Sequence, residues 1–497
     1  MKRGSGYVAC VLVLIAWGVL SFGAVYPWAY WPLSTGAALV GAYGLVQHRQ
    51  LAAMPLSRGL LIAFAATFVA MLVQVIPFRR ETIAAWSPNA THVLENYDVL
   101  YASSVQPPHA LSIQPELTLI TVVLFAALVV FLLGTVRALS LGGSTRVASG
   151  LVALGLLLAV VGIVQRSFFA GKIYGFWTPY QPPNPFGPFV NRNHYAGWMA
   201  MTLSLSLGYL CGRAAQMEPH VKPGFRNRVL WFSSQEASQT VLVGFAVVVM
   251  AIAMVLTFSR GGISCLAVAV LMTGCAVAYR QRGSIRLVLS VYLVFVVVMS
   301  LWWGSIDLVV KQFAAAEWTQ ANGRIGAWKD AWDIWRRFII FGSGMNTYGI
   351  TTLFFQTFDL DAHYAQAHND YLQILAEGGL LVAIPAAVVV ALFVREIRRR
   401  FAETEPGTMT YWIRVGAVTG LVAIALQETV DFSLQMPGNA LLFAVITAIA
   451  LHRPVGAHVS RTRITSGSRA SRRIDAGSDA DRSRATKSFQ VCAARVS

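Results

Sequence analysis

The chain has 497 residues, of which 56% are hydrophobic and only 12% charged, against roughly 25% charged in an ordinary soluble domain. With a mean hydropathy of +0.58, this excludes a soluble globular protein and marks an integral membrane protein. The net charge of +17 does not call for nucleic acid, because much of it sits in short loops between apolar runs and in a polar tail, where anionic lipid headgroups are the plainer partners.

Apolar runs close to the ~20 residues that cross a bilayer recur along the chain and predict about twelve transmembrane helices. They fall at 7–25, 30–47, 57–76, 116–134, 149–166, 194–212, 240–258, 262–279, 287–304, 379–395, 411–428 and 438–452. The first run follows "MKRGSG", a start that also suits a cleaved signal peptide. Its length, and the lack of a small-residue cleavage site after it, favour an uncleaved signal anchor.

Arg146, the group Arg213, Lys222, Arg226 and Arg228, the group Arg280, Arg282 and Arg286, and the group Arg395, Arg398, Arg399 and Arg400 all fall in alternate loops. Basic loops stay in the cytoplasm, so both termini lie there as well. The expected architecture is an all-α, polytopic membrane domain over 1–452 with periplasmic segments at 78–116, 167–193 and 305–378, the last large and helical. A basic cytoplasmic tail, 453–497, lacks apolar periodicity and reads as disordered. The five cysteines (Cys10, Cys211, Cys265, Cys275, Cys492) have no metal-like spacing, and no Walker, Rossmann or zincin motif occurs.

Candidate functional residues collect in the outer segments. "GPFVNRNHYAG" (187–197) places Arg192 and His194 at the mouth of the sixth span. "TFSRGG" (257–262) puts Arg260 between two apolar runs with no soluble loop around it. An ionisable residue there is either functional or an interfacial arginine that snorkels to headgroups, and the first reading is favoured because burial is expensive. Gly261 and Gly262 would allow a tight return and a close backbone approach.

In "GRIGAWKDAWDIWRRFIIFGSG" (323–344), Trp328, Trp332 and Trp335 recur at helical spacing, predicting an amphipathic helix that lies on the outer leaflet or packs on the protein's own spans. Asn322 would cap it and leave Arg324 in the first turn, where a cation opposes the helix dipole unless an anion is near. Arg324 is therefore either an anion ligand or a solvated, lipid-facing arginine. Last, "AHYAQAHNDYLQILAEGGLL" (362–381) holds two histidines and two carboxylates ahead of an apolar run. Asn369 and Asp370 would cap a short helix ending at Gly378 and Gly379, fixing His368 at its entrance.

Several arginines on one face, without a nucleotide-binding loop, suit an anion that arrives from the membrane. A lipid-linked diphosphate fits, since guanidinium groups bind phosphate oxygens bidentately and stabilise a departing diphosphate. His368 can serve as the general base for a hydroxyl acceptor, the alternative being a surface hydrogen-bonding role. Asp359 and Asp361 have the Asp-x-Asp spacing of metal-holding glycosyltransferases, with His363 beside them. Two acids at that spacing are common by chance, and an arginine clamp needs no metal, so no metal and no cofactor is assigned.

"TFSRGG", the Arg324 helix, "AHNDYLQILAEGGLL" and "VDFSLQMPGNALLF" (430–443) stand in the same order as in the O-antigen ligase and polymerase family, which the chain resembles from Gly18 to about Leu451. "FGPFVNRNHYAGWMAM" is similar to an exopolysaccharide-associated branch. The resemblance implies a metal-independent, inverting glycosyltransferase of the bacterial inner membrane whose site faces the periplasm. Its donor would be an undecaprenyl-diphosphate-linked glycan and its acceptor a glycan or lipid A-core. Arg260 and Arg324 would hold the diphosphate and His368 would activate the acceptor, with Arg192, His194, Asn369 and His363 as further candidates for substrate contact.

Many members read His-Ala-His-Asn at the last motif, and this chain has Gln366 at the first histidine. Other polysaccharide-assembly proteins are conceivable partners. A protein O-oligosaccharyltransferase shares the motifs and ranks behind. A transporter or flippase of the same lipid-linked glycan would need polar residues and broken helices near the midplane, whereas the charges here lie at outer helix ends.

Overall fold

The computed structural model describes residues 2–47, 56–103, 108–179, 184–217, 234–304, 310 and 318–454. The expected disordered tail, the basic loop with Lys222, Arg226 and Arg228, and the start of the third outer segment (305–309, 311–317) lie outside the described residues.

In chain order the helices are α1 (Lys2–Leu20), α2 (Pro27–Gln47), α3 (Arg58–Val73), α4 (Arg80–Trp86), α5 (Pro88–Tyr97), α6 (Val99–Ala102), α7 (Pro115–Ser140), α8 (Ser144–Ser167) and α9 (Arg192–Met217). They continue as α10 (Gln235–Leu256), α11 (Arg260–Arg280), α12 (Gly283–Trp303), α13 (Trp318–Arg337), α14 (Tyr348–Phe355), α15 (Asp370–Glu403), α16 (Met409–Gln427) and α17 (Pro437–Leu451). Two-residue strands β1 (Pro77–Phe78) and β2 (His109–Ala110) pair antiparallel at the ends of the first outer segment.

The protein is an all-α polytopic membrane protein, and each of the twelve expected spans coincides with a helix. Seven of the described helices are long and apolar enough to cross a bilayer: α7, α8, α10, α11, α12, α15 and α16. Ser5–Leu20, Arg58–Val73 and Pro437–Leu451 are apolar but shorter. The remaining two, α2 and α9, are rich in aromatic, glycine and hydroxyl residues, which lowers their hydropathy. Helix length and hydropathy alone therefore do not confirm a count of twelve.

Small residues set the closest helix crossing that matters for the site, as in other membrane bundles. Where α9 meets α16, a Cβ on Gly208 would stand 2.4 Å from the Trp412 carbonyl oxygen and 2.6 Å from the Gly416 Cα, and one on Gly416 would stand 2.6 Å from the Ser204 carbonyl oxygen. Gly416→Val is accordingly expected to cost about 1–3 kcal/mol or more by overpacking, read as a lower midpoint for thermal loss of monodisperse protein in detergent.

Helix α15 is two helices in series. Asn369 caps the first, its side chain accepting from the Leu372 N–H at 3.1 Å, and the helical path breaks at Gly379 (φ 58, ψ −167). The break admits residues 339–340: the Leu380 and Leu381 N–H groups donate to the Ile339 and Ile340 carbonyls at 2.9 Å each. A Cβ on Gly379 would lie 2.4 Å from the Ile340 oxygen, so the sequence "EGGLL" is a docking point as well as a stop.

The amphipathic helix is present as α13, with two corrections. It begins at Trp318, so Asn322 lies within it and Arg324 is in its second turn; the helix-dipole argument for an anion at Arg324 does not hold. Ala327 is buried on this helix, and Ala331 and Ile334, with Phe338 just past its end, pack with Ile83, Val93 and Tyr101 of the first outer segment. Of the three tryptophans only Trp335 packs against this cluster; Trp332 is exposed and Trp328 lines the cavity described next. The helix thus packs on the protein itself.

Candidate active site

Three of the predicted arginines, far apart in sequence, line one cavity of about 310 Å³. Its walls bring together Arg192 from the start of α9, Ser259 and Arg260 from the start of α11, Arg324 and Trp328 from α13, and Asp431 from the α16–α17 turn.

Each wall is fixed by local chemistry. The Asn191 side chain accepts from the Asn193 N–H at 2.9 Å, and the Arg192 N–H donates to the Asn184 carbonyl at 2.8 Å, so Arg192 leaves a pinned turn. Two amides from neighbouring helices hold the next carbonyls: Gln427 Nε2 donates to Asn193 O at 2.9 Å and Asn439 Nδ2 to His194 O at 2.9 Å.

At "TFSRGG" the return is made by Phe258 in a left-handed conformation (φ 49). The Ser259 hydroxyl then caps α11 by accepting from Gly262 N at 3.2 Å. Of the two glycines only Gly262 is sterically required, since a Cβ there would meet Ala196 Cβ at 2.7 Å while one on Gly261 meets nothing closer than 3.6 Å. Arg166, which sequence reasoning passed over, braces this turn: its guanidinium donates to Leu256 O at 2.5 Å and lies 4.7 Å from the Phe258 ring centroid.

His368 stands beside the cavity. Its backbone is left-handed (φ 51), its carbonyl accepts from Trp328 Nε1 at 3.3 Å, and its Nδ1 is 3.9 Å from Asp431 Oδ1. Burial alone would raise the Asp431 carboxyl, but His368, His194 and the Phe432 N–H outweigh it and hold the group below the usual carboxylate range. Asp431 is therefore a buried anion at neutral pH, beside two histidines and on the cavity that the three arginines line. It is the main residue the sequence reading left without a role; the signal is an acid in the short stretch between two apolar runs, much as for Arg260.

The other candidates sit apart from the cavity wall. His194 lies behind Asp431, its Nε2 4.0 Å from Oδ1. Asn369 is the helix cap. His363 Nε2 is 2.7 Å from the Gly349 carbonyl, tying down the outer loop. Asp359 accepts from the Tyr364 hydroxyl at 2.9 Å. Among the described residues no group of three His, Cys, Asp or Glu side chains is placed to hold a metal ion.

A second cavity of about 470 Å³ is lined in part by Gln366 and Asp370, on either side of His368 in the chain. Leu33, Met71, Phe125 and Leu441 give it apolar walls, and Gln366, Asp370, Gln373 and Gln435 give it a polar end. That end is a built network: Gln435 Nε2 donates to Asp370 Oδ1 at 2.7 Å, and Gln373 Nε2 to Gln366 Oε1 at 2.6 Å. Gln366 is thus directed to this cavity, by a contact that a histidine in its place would have to remake.

An arginine-lined, histidine-flanked cavity in a multi-span helical membrane protein has the chemistry to bind an anion and to move a proton. Residues 245–387 match the family model described as O-antigen ligase, and this match supports the O-antigen ligase/polymerase family. The matched stretch contains Arg260, Arg324 and His368, and stops short of Asp431. The match supports a function of the O-antigen ligase/polymerase type in general. No individual curated protein matches the chain.

Proposed function

We propose that the protein transfers a glycan from an undecaprenyl-diphosphate carrier to an acceptor sugar hydroxyl. The reaction takes place at the periplasmic face of the bacterial inner membrane, as a ligase or polymerase of O-antigen or exopolysaccharide. The observation that carries this reading is the convergence of Arg192, Arg260 and Arg324 on one cavity beside His368 and Asp431.

Arg260 and Arg324 bind the diphosphate oxygens, with Arg192 as a third cation. The acceptor comes from the second cavity, whose amides and carboxylate suit sugar hydroxyls and whose apolar walls suit a lipid anchor. His368 takes the acceptor's proton as its oxygen bonds to the anomeric carbon; the bond to the diphosphate breaks with its electron pair, which the arginines neutralise. Attack of the acceptor on the face opposite the departing diphosphate would invert the anomeric centre. The direct test gives the purified protein an undecaprenyl-diphosphate glycan and candidate glycan or lipid A-core acceptors. A transferred product supports the reading, and donor binding without any transfer sinks it.

The arginines supply the positive charge that a divalent ion would otherwise bring. Transfer is therefore expected to survive excess EDTA, and Asp359→Ala with Asp361→Ala to stay within about threefold of wild type, as for substitutions outside the diphosphate contacts. Activity lost to chelation and restored by manganese or magnesium would move the diphosphate site to "DLD".

The periplasmic placement rests on the basic alternate loops. It gains support from the meeting of segments 187–194, 257–262, 318–368 and 428–436, which twelve-span alternation puts on one side. On a cysteine-free background, Leu360→Cys (77% exposed) is expected to react with an impermeant thiol reagent in spheroplasts. Glu405→Cys is expected to react only after permeabilisation. The reverse pattern inverts the site to the cytoplasm.

A further inference from the structure

Two buried ring nitrogens face one carboxylate oxygen. His194 Nε2 lies 4.0 Å and His368 Nδ1 3.9 Å from Asp431 Oδ1, and neither nitrogen has a hydrogen-bond partner although both are buried. The imidazoles also flank one ring, Phe432 meeting His194 at 4.8 Å and 73° and His368 at 4.9 Å and 72°. Phe432 fixes the carboxylate between them, its N–H donating to the same Oδ1 at 2.9 Å.

The two histidines differ in access. The His368 side chain is 28% exposed and that of His194 only 8%, with Asn439 holding the His194 carbonyl. His194 is thus too enclosed to be the acceptor's base, yet it points a polar atom at the one anion beside that base. Buried polar atoms are rarely left unpaired without a functional reason. Each gap is about 1 Å longer than a hydrogen bond, so a small rotation of Asp431 closes either.

We infer that His194 is a positioning residue: it donates Nε2–H to Asp431, keeps that carboxylate ionised and turned toward His368, and so presents the free Nε2 of His368 to the acceptor. The inference rests on the general-base reading of His368. In the transfer step the acceptor O–H proton moves to His368 Nε2. The acceptor oxygen bonds to the anomeric carbon, and the diphosphate leaves with the electrons of the broken bond. The imidazolium that forms is held by Asp431 through Nδ1–H, while His194 keeps its own proton throughout.

His194→Phe preserves the ring and its edge contact but has no N–H. It is expected to lower turnover about 10- to 100-fold with donor affinity within about twofold of wild type, the split of a residue that acts only as the reaction proceeds. His194→Gln places an amide N–H near the Nε2 position and is expected to recover to within about fivefold of wild type, while His194→Asn, too short to reach, stays low. On an Asp431→Asn background His194→Phe should add less than about threefold, because its effect passes through that carboxylate. Multiplying defects, a loss confined to donor binding, or a Gln variant no better than Asn overturns the assignment. If the Phe variant does not accumulate in the membrane, the Gln and Asn pair decides.

Nitrogen-15 spectra of histidine-labelled protein read the contact without turnover. Asp431→Asn should move the ring signals of both His194 and His368, and a shift of His368 alone overturns the inference. If wild-type protein transfers nothing, the proposed function falls and these spectra still decide His194.

Discussion

Alanine at His368 is expected to lower the turnover of glycan transfer by about 10²- to 10⁴-fold, the range of a lost general base, while donor affinity changes little. The split follows from position. The arginines that would hold the diphosphate reach the cavity from α9, α11 and α13, whereas His368 enters from the cap of α15 and faces Asp431 at 3.9 Å. In the proposed step its ring gains a proton only as the acceptor attacks, so its removal should leave the bound donor undisturbed.

The backbone should tolerate the change. The Trp328 bond is made to the His368 carbonyl and the helix cap is made by Asn369, and both survive truncation of the ring. The one cost is alanine at φ 51, a left-handed conformation that histidine visits more readily. His368→Asn suits that backbone better and should be equally inactive, with monodisperse extraction as the check on folding. Normal transfer by either variant, or a defect confined to donor binding, would remove the base and assign the residue to the donor pocket or the cap.

The helices are legible because about twenty consecutive apolar residues have few fates other than a helix in lipid: all twelve runs are helical, and seven of the described helices are long and apolar enough to cross a bilayer. The Asn369 cap and the break at Gly379 were legible for a similar reason, each being a local backbone demand met by a local residue. The amphipathic helix shows where local reading fails. Asn322 and Gly323 look like a helix start, yet α13 runs through them. Gly323 and Gly326 serve there as packing residues, since a Cβ would meet the Tyr364 hydroxyl at 2.7 Å in one case and Phe358 Cδ1 at 2.0 Å in the other. A glycine that admits a neighbour and one that ends a helix look alike in sequence.

Arg192 and Arg260 are legible one by one, because an ionisable group at an apolar helix end is costly; Arg324 lies inside α13 and Asp431 is left without a role by sequence reasoning. The convergence of the site is not legible, since no periodicity links positions 192, 260, 324, 368 and 431. Nor is the demotion of His363, which depends on a carbonyl fourteen residues away.

Arg260→Ala and Arg324→Ala should each weaken donor binding about 10- to 100-fold, the worth of a hydrogen bond to a charged group, and slow transfer as well. Both effects are expected from the same contact: a diphosphate is anionic when bound and gains charge as the glycan leaves, so its arginines act in the ground state and more strongly in the transition state. Arg260 has the further advantage of its place as first residue of α11, where the helix's unpaired N–H groups also favour an anion. Its own charge is unfavourable at that end, a cost that bound diphosphate removes.

Lysine should rescue poorly at either position, because a point charge cannot make the paired N–H contacts of a guanidinium. Arg192→Ala tests whether the third cation is a ligand or a neighbour: a loss of donor affinity comparable to that of Arg260→Ala makes it a full member of the clamp. The expected ordering against His368 is the discriminating result. If the arginine variants bind donor as well as wild type and lose only turnover, the diphosphate lies elsewhere and the cavity serves the acceptor.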